Sequence, residues 1–490
     1  MNLYAIVVAV IVVALLTVSI SQIRKVKTKA DYLVAGRSLP AYVLVATLLS
    51  SWIGAGSLFA GAENAFRNGF AALWQPAGGW VALVIMYFVA PRARKFAQFT
   101  IPDLLETRYN TAARVLGTIA ILFAFTAITS YQFRAGGDIM HLIFPEIGRQ
   151  QGTIIIAIFV IAFTALAGMA SVAYMDVVIG LLITVTGVIA APMLLSHVGG
   201  WTALHDKLPL SHFTLFGEFG VRDGVDHGTG AALLHALEYF FPTFLLMLGN
   251  QSMYQKFFSA KSEKDAKMAV AGWFVGTGIL ETLIVAIAVF GSALYFTMPR
   301  AELNPREIIP FTARHALPSF IGALLMGAVF AKVISTANNY LFSPATNLIN
   351  DVYTRFINKG ASNRNILFVS RFLVVLLGIW ALFQGIGLES ILAKAMYAYT
   401  IYSAAITPVV MAAFFWRRTT ATAAVTSIAL GTTITIYWNE FPNYLPAGWA
   451  QRDAIFPALI VSLVALIVVS YITKPPRKEQ LAPFFDNETA

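Results

Sequence analysis

Four ionisable side chains stand inside long apolar runs of this 490-residue chain: Asp176, Glu281, Lys332 and Lys394. A charge held in hydrocarbon is expensive, so such a residue defaults to a place on an ion or solute path. Lys332 is followed by Ser335, Thr336 and Asn339, at offsets of three, four and seven, which put all four on one helix face. Asn338 stands beside them. Hydroxyls and amides in such a stripe are explained by hydrogen bonds between helices, worth about 1 kcal/mol per contact. A lysine among them points instead to a face lined by water or ions.

Two apolar runs are interrupted. One contains Ser50-Ser51-Trp52-Ile53-Gly54-Ala55-Gly56-Ser57; the other contains Pro242 and then Gly249-Asn250-Gln251. Backbone within a bilayer must satisfy its own hydrogen bonds, so a break is tolerated only where protein or a wet cavity covers it. Breaks at matching places in two halves point to the binding site of a transporter. The competing explanation for the glycines is close helix packing through small residues. Other chemistries find little support. The chain has no cysteine, and no HExxH, GxSxG or facing pair of aspartates. His197, His205, His212 and His227 fall in the longest loop, 197–231, with spacings that fit no ligand motif, and read as solvated loop residues.

The elements that must hold these residues are membrane helices. The chain is 58% hydrophobic and 12% charged, against about 25% charged in soluble domains, and its mean hydropathy is +0.72. A hydrocarbon core takes about 20 apolar residues as helix. Thirteen runs qualify, near 2–22, 41–66, 70–91, 113–142, 151–170, 173–196, 232–253, 268–297, 318–346, 365–386, 388–415, 419–438 and 455–473. The charges Arg24, Lys25, Lys27 and Lys29 follow the first run, which places the N-terminus outside and excludes a cleaved leader. About 23 of the lysines and arginines then fall inside and about 9 outside, with the C-terminus inside. The net charge of +10 is therefore orientation signal, and no nucleic-acid partner is expected. The expected surroundings are the plasma (inner cell) membrane and its lipid.

Several motifs resemble the sodium:solute symporter family, which includes sodium-coupled sugar, proline, pantothenate and monocarboxylate carriers. Asp31-Tyr32 with Ala35-Gly36-Arg37 is similar to the family's entry segment, and Trp52 to Ser57 to its first broken core helix. The most specific match is Phe99-Thr100-Ile101-Pro102-Asp103-Leu104-Leu105-Glu106-Thr107-Arg108-Tyr109. Asn250-Gln251, Gln255-Lys256 and Ala260-Lys261-Ser262 resemble a further run, and Ser335-Thr336 with Asp351-Val352-Tyr353 the eighth core helix.

The resemblance implies an all-α, leucine-transporter-like single domain over 1–490, built as an inverted repeat of two five-helix units. These would be 41–196 and 232–415, with an extra first helix at 1–22 and two more helices within 419–473. It implies Na+ as coupling ion, held by the carbonyls of Ser50, Ile53 and Lys332 and the hydroxyls of Ser335 and Thr336; oxygen ligands suit such a cation. Asp176, with Asn338 and Asn339, would form a second ion or proton site. Trp52, Ser57, Gln75, Asn250 and Gln251 would meet the solute beside the breaks.

Two residues depart from the pattern. Lys332 replaces a small residue; its ammonium could fill the sodium site and make transport sodium-independent or proton-linked, pair with Asp176, or snorkel to water. Lys394 could attract an anionic substrate, or pair with Glu389 or Glu281. The solute stays open among sugar, carboxylate, amino acid and vitamin. A transport-inactive membrane sensor of the same fold is the alternative of another class.

Overall fold

The computed structural model describes residues 3–23, 26–96, 98–222, 224–295, 304–445, 449 and 452–485. Arg24 and Lys25, used in the charge argument, and the assigned end of the eighth run at 296–297 lie outside them. The chain folds as helices α1 (Leu3–Ile23), α2 (Lys29–Val34), α3 (Ala41–Trp52), α4 (Ala62–Asn68), α5 (Trp74–Phe96), α6 (Ile101–Arg108), α7 (Thr111–Ile143), α8 (Arg149–Leu166), α9 (Met169–Val198) and α10 (Gly200–Lys207). After a short hairpin come α11 (Gly228–Gly249), α12 (Gln251–Ser259), α13 (Glu263–Tyr295), α14 (Ile308–His315), α15 (Ser319–Asn347), α16 (Asn363–Gly385), α17 (Ile391–Ala405), α18 (Thr407–Phe415), α19 (Ala421–Glu440), α20 (Ile455–Ile472) and α21 (Lys478–Phe485).

Among the described residues, twelve helical stretches are long and apolar enough to cross a membrane. The run assigned to 41–66 is a broken element. Its first half, α3, is too short to cross alone. The chain leaves the helix at Ile53 (φ −83°, ψ 111°), makes a π-helical turn over Gly56–Gly61, and continues as α4. The second break is at Asn250 (φ −66°, ψ 115°), between α11 and α12. Ser403 and Thr407 of the α17–α18 segment donate hydroxyl hydrogen bonds to the carbonyls of Pro242 and Leu245, so irregular backbone at depth is covered by protein.

Local sequence sets the helix ends. Thr28, Thr100, Asn110, Ser362, Ser390 and Thr420 each accept a backbone N–H of the first turn they precede. In α15 every residue from Leu325 to Asn347 is buried, its polar stripe included, and the helix packs against α1, α3, α7, α8 and α9. The outer faces of α1, α9, α16 and α20 carry exposed Val10, Leu181, Phe368 and Ile472. An apolar outside around a partly polar inside is the arrangement a bilayer stabilises.

Candidate functional site

The break after α3 lies against α15. Three carbonyl oxygens converge on the Thr336 hydroxyl: Ser50 at 2.8 Å, Ile53 at 3.0 Å and Lys332 at 2.9 Å. A hydroxyl has one proton to give, so three carbonyls around it make a cluster of partial negative charge. The α3 C-terminus adds its dipole to the same spot. Gly54 makes the approach feasible: a Cβ there would lie 2.6 Å from Thr336 Cγ2 and Oγ1. Gly56 likewise faces the hydroxyl of Tyr399, 2.3 Å from where its Cβ would be. Both glycines are therefore spacing residues, and the open Ala55 N–H is capped by Gln132 Oε1 of α7 at 2.9 Å.

Beside this cluster is the buried Asp176 carboxylate of α9. It accepts hydrogen bonds from Thr47 (2.6 Å), Ser335 and Asn339 (3.3 Å). The Lys332 ammonium donates to Ser50 Oγ at 2.9 Å, and the charge of Asp176 acts on it. Lys332 is fully buried, so it does not snorkel to water. Ser335 faces Asp176, and Asn338 turns to the opposite side, where it accepts from Thr164 at 2.8 Å. Asn338 is thus one residue off the stripe, as helical geometry requires, and does not join Asp176.

A second focus is a cavity of about 20 Å³ lined by Trp52, Ser57, Gln75, Thr243, Glu281 and Tyr399. It joins three of the residues expected to meet the solute. The other three lie elsewhere. Asn250 donates to the Tyr340 hydroxyl at 3.0 Å and caps α12 through Ser252 N. The Gln251 side-chain oxygen accepts Ile101 N at 2.6 Å. Both amides are used in fastening the second break to α15 and α6. Lys394 sits in the first turn of α17 over the Tyr397 ring, at 5.4 Å, with Glu440 the acid acting on it. A wide vestibule of about 770 Å³, lined by Tyr239, Tyr397 and Arg452 among others, opens one helical turn from Thr243. Tyr399, Thr243 and Gln132 carried no sequence signal beyond being polar within apolar runs.

At the end of the bundle bearing α6, a polar network ties four segments together. Arg114 pairs with Asp103 and, at 3.0 Å, with Glu106. Asn350 donates to Asp103 at 2.6 Å, Thr100 to Asp351 at 2.8 Å, and Lys29 to Asn350 at 2.7 Å. Burial pushes the Lys29 ammonium below its ordinary range, against the pull of Asp103 and Asp351. Burial alone would raise Glu106; hydrogen bonds from Thr111 and Arg355 and the charge of Arg114 outweigh it and hold the carboxyl below the usual range. Arg114→Ala strands buried carboxylates and is expected to destabilise the protein by about 3–5 kcal/mol. Half-exposed Arg355, changed to alanine, is expected to cost below about 1 kcal/mol. Thermal unfolding in detergent checks this pair; equal losses would contradict the assignment of Arg114 as the centre.

In the loop 197–231, His212 departs from the solvated reading. It is buried, with Nε2 3.1 Å from the Phe66 carbonyl, and the chain beside it closes over Gly69. His205 stacks on Phe213.

The family model described as "Sodium:solute symporter family" matches residues 32–431. The osmoregulated proline transporter OpuE of Bacillus subtilis is 23% identical over 487 residues, spanning 95% of this chain and 94% of that protein. A sodium/proline symporter of Staphylococcus aureus is 25% identical, spanning 91% and 88%. Among solved structures, a Na+-coupled sialic acid symporter in a substrate-bound outward-open state superposes with TM-score 0.81 at 18% identity, over 97% of this chain and 99% of that one. MhsT, solved with L-phenylalanine, gives 0.53 at 16% identity, over 88% and 97%. The fold is the leucine-transporter-like helical bundle.

Proposed function

The chain belongs to the sodium:solute symporter family, and from that premise we propose that it carries a small polar organic solute across the membrane with Na+, by alternating access. Membership makes it a transporter and not an enzyme, with Na+ the family's coupling ion. The observation that carries the reading is the carbonyl cluster of Ser50, Ile53 and Lys332 at Thr336, set at a helix break whose next residues line the central cavity. Oxygens of this kind fit a hard monovalent cation. An ion there pulls α3 toward α15, and the same movement shapes the cavity beside Trp52 and Ser57.

We assign the two five-helix units to α3–α9 and α11–α18, with the N-terminus outside and the α6 network at the cytoplasmic end. Rocking of one bundle against the other would part the vestibule or the network in turn. Two relatives are named for proline, which makes proline the first solute to test. The test is counterflow of labelled L-proline in proteoliposomes, with and without a sodium gradient. Sodium-stimulated exchange supports symport; sodium-independent exchange favours a carrier whose ion site is filled by Lys332. That second reading rests on the Lys332 ammonium standing 2.9 Å from Ser50 Oγ.

Thr336→Ala removes the hydroxyl at the centre of the cluster. It is expected to raise half-saturating sodium about tenfold or more, since a hydrogen-bonding group at a charge contributes about 1.5–3 kcal/mol. Maximal solute binding at saturating sodium should change little. A sodium titration of solute binding measures both, and an unchanged sodium midpoint would count against the site.

A further inference from the structure

Glu281 lies midway along α13 and is buried with its carboxylate at the central cavity. Its Oε1 accepts Trp52 Nε1 at 2.9 Å and Ser57 Oγ at 3.4 Å; its Oε2 accepts Trp80 Nε1 at 3.1 Å. All three donors are neutral. Among the described residues, no lysine, arginine or histidine nitrogen lies within 4.0 Å of this carboxylate. An ionised carboxylate at this depth, balanced by dipoles alone, lacks the opposite charge that such groups take in membrane proteins. A second acceptor faces the same space. Gln75 Oε1 is buried and, among the described residues, has no hydrogen-bond partner. Gly61, whose missing side chain leaves Gln75 Oε1 3.9 Å from the Cβ position, keeps the wall open there. The rings of Trp52 and Tyr399 complete the lining.

We propose that Glu281 is the counter-charge for an organic ammonium group of the solute, with the Gln75 amide oxygen as a second acceptor and the aromatic rings as its walls. The chemistry of the cavity selects for this. An ammonium brings the positive charge that Glu281 lacks and, where it carries N–H groups, a donor for the unpartnered Gln75 oxygen, and aromatic faces attract organic cations. A plain carboxylate would meet Glu281 with no cation in the lining to receive it. A sugar would satisfy acceptors and leave the charge unbalanced. The lysines that lean toward a carboxylate from sequence lie outside this cavity: Lys332 is on Ser50, and Lys394 is over Tyr397. The inference rests on the carrier reading and names its substrate class.

The test uses purified full-length protein and matched probes: L-proline with tetrahydrofuran-2-carboxylate, in which oxygen replaces the ring nitrogen, and choline with 3,3-dimethyl-1-butanol, in which carbon does. D-glucose and acetate are the uncharged and anionic controls. Binding is measured with and without sodium for wild type, E281Q and E281D. The expected result is that at least one ammonium probe binds the wild type about a hundredfold more tightly than its partner. E281Q should collapse that ratio to within about threefold while leaving sodium binding without solute unchanged, and E281D should retain part of it. A purely structural role for Glu281 would weaken both members of a pair equally, so the ratio separates the two roles. If E281Q does not fold, the wild-type ratio and E281D decide. An unchanged ratio in E281Q, or tighter binding of D-glucose or acetate than of any ammonium probe, overturns the inference. Sodium-dependent uptake of D-glucose or acetate without competition by amines overturns it and leaves the carrier reading standing. No sodium-dependent binding of any probe overturns both.

Discussion

Gly54→Ala is expected to lower sodium affinity by about a hundredfold or more, with the folded protein retained. The new Cβ would lie 2.6 Å from both Thr336 Cγ2 and Oγ1, closer than real Cβ atoms come to their neighbours. Thr336 is buried within α15, and its own Cβ would lie 2.7 Å from the added carbon, a contact that turning the side chain does not relieve. The break after α3 must therefore retreat, and Ser50 and Ile53 take their carbonyls with them. A movement of about 1 Å is enough to dismantle a site built from aligned oxygens. Gly56→Ala works on the other partner. Its Cβ meets the Tyr399 hydroxyl at the cavity, so it should weaken solute binding more than sodium binding. Thermal shift against sodium, with potassium chloride at equal ionic strength, measures the first effect. A sodium midpoint within threefold of wild type for Gly54→Ala would contradict the close approach of α3 to α15.

Lys332→Ala should produce the second large effect, with two readouts of opposite sign. The ammonium is fully buried, bonded to Ser50 Oγ and under the charge of Asp176. Removing it takes one of the two buried lysines whose charge acts on Asp176, the other being Lys256. Lys332 and Asp176 act on each other through space without a direct ion pair, so the loss should be below the roughly 3–5 kcal/mol of a broken buried pair. The variant should unfold earlier than wild type in sodium-free buffer. Sodium should then restore more stability to it than to wild type, because a cation entering the oxygen cluster supplies the lost charge. Ligand stabilisation grows as RT ln(1 + [L]/Kd), so the gap between variant and wild type should close as sodium rises. Parallel curves for the two proteins would show that the ammonium and the ion do not share a site.

Much of this architecture was legible because a bilayer leaves few solutions. Continuous apolar runs had to be helices, and Gly54, Gly56 and the Gly249-Asn250 step marked where two of them break, whereas α11 runs unbroken through Pro242. The helical spacing of Lys332, Ser335, Thr336 and Asn339 located the polar stripe, and all four do face α3 or Asp176. Adjacent Asn338 does not, since consecutive helix positions point some 100° apart. Asn250 and Gln251 show the limit of a motif. An amide at a helix break is equally suited to a solute or to bare backbone; here Asn250 bonds Tyr340 and Ser252 N and the Gln251 oxygen accepts Ile101 N, while Gln251 Nε2 has no partner among the described residues. Glu281 was conspicuous as a buried acid, but its partners come from α3, the turn after it and α5, which no local pattern joins. A loop histidine whose spacing fits no ligand motif reads as solvated; at His212 the loop instead folds back over Gly69 and buries the ring.

We propose that an ion at Thr336 and a solute at Trp52 and Glu281 are coupled through one broken helix. The most direct test is reciprocal binding: the solute Kd measured without sodium and at saturating sodium, and the sodium Kd without and with saturating solute. Coupling requires the two ratios to be equal and well above one. We expect a shared factor of about tenfold or more in wild type, falling to about one in Gly54→Ala. A solute Kd that stays the same whether sodium is absent or saturating would contradict the account.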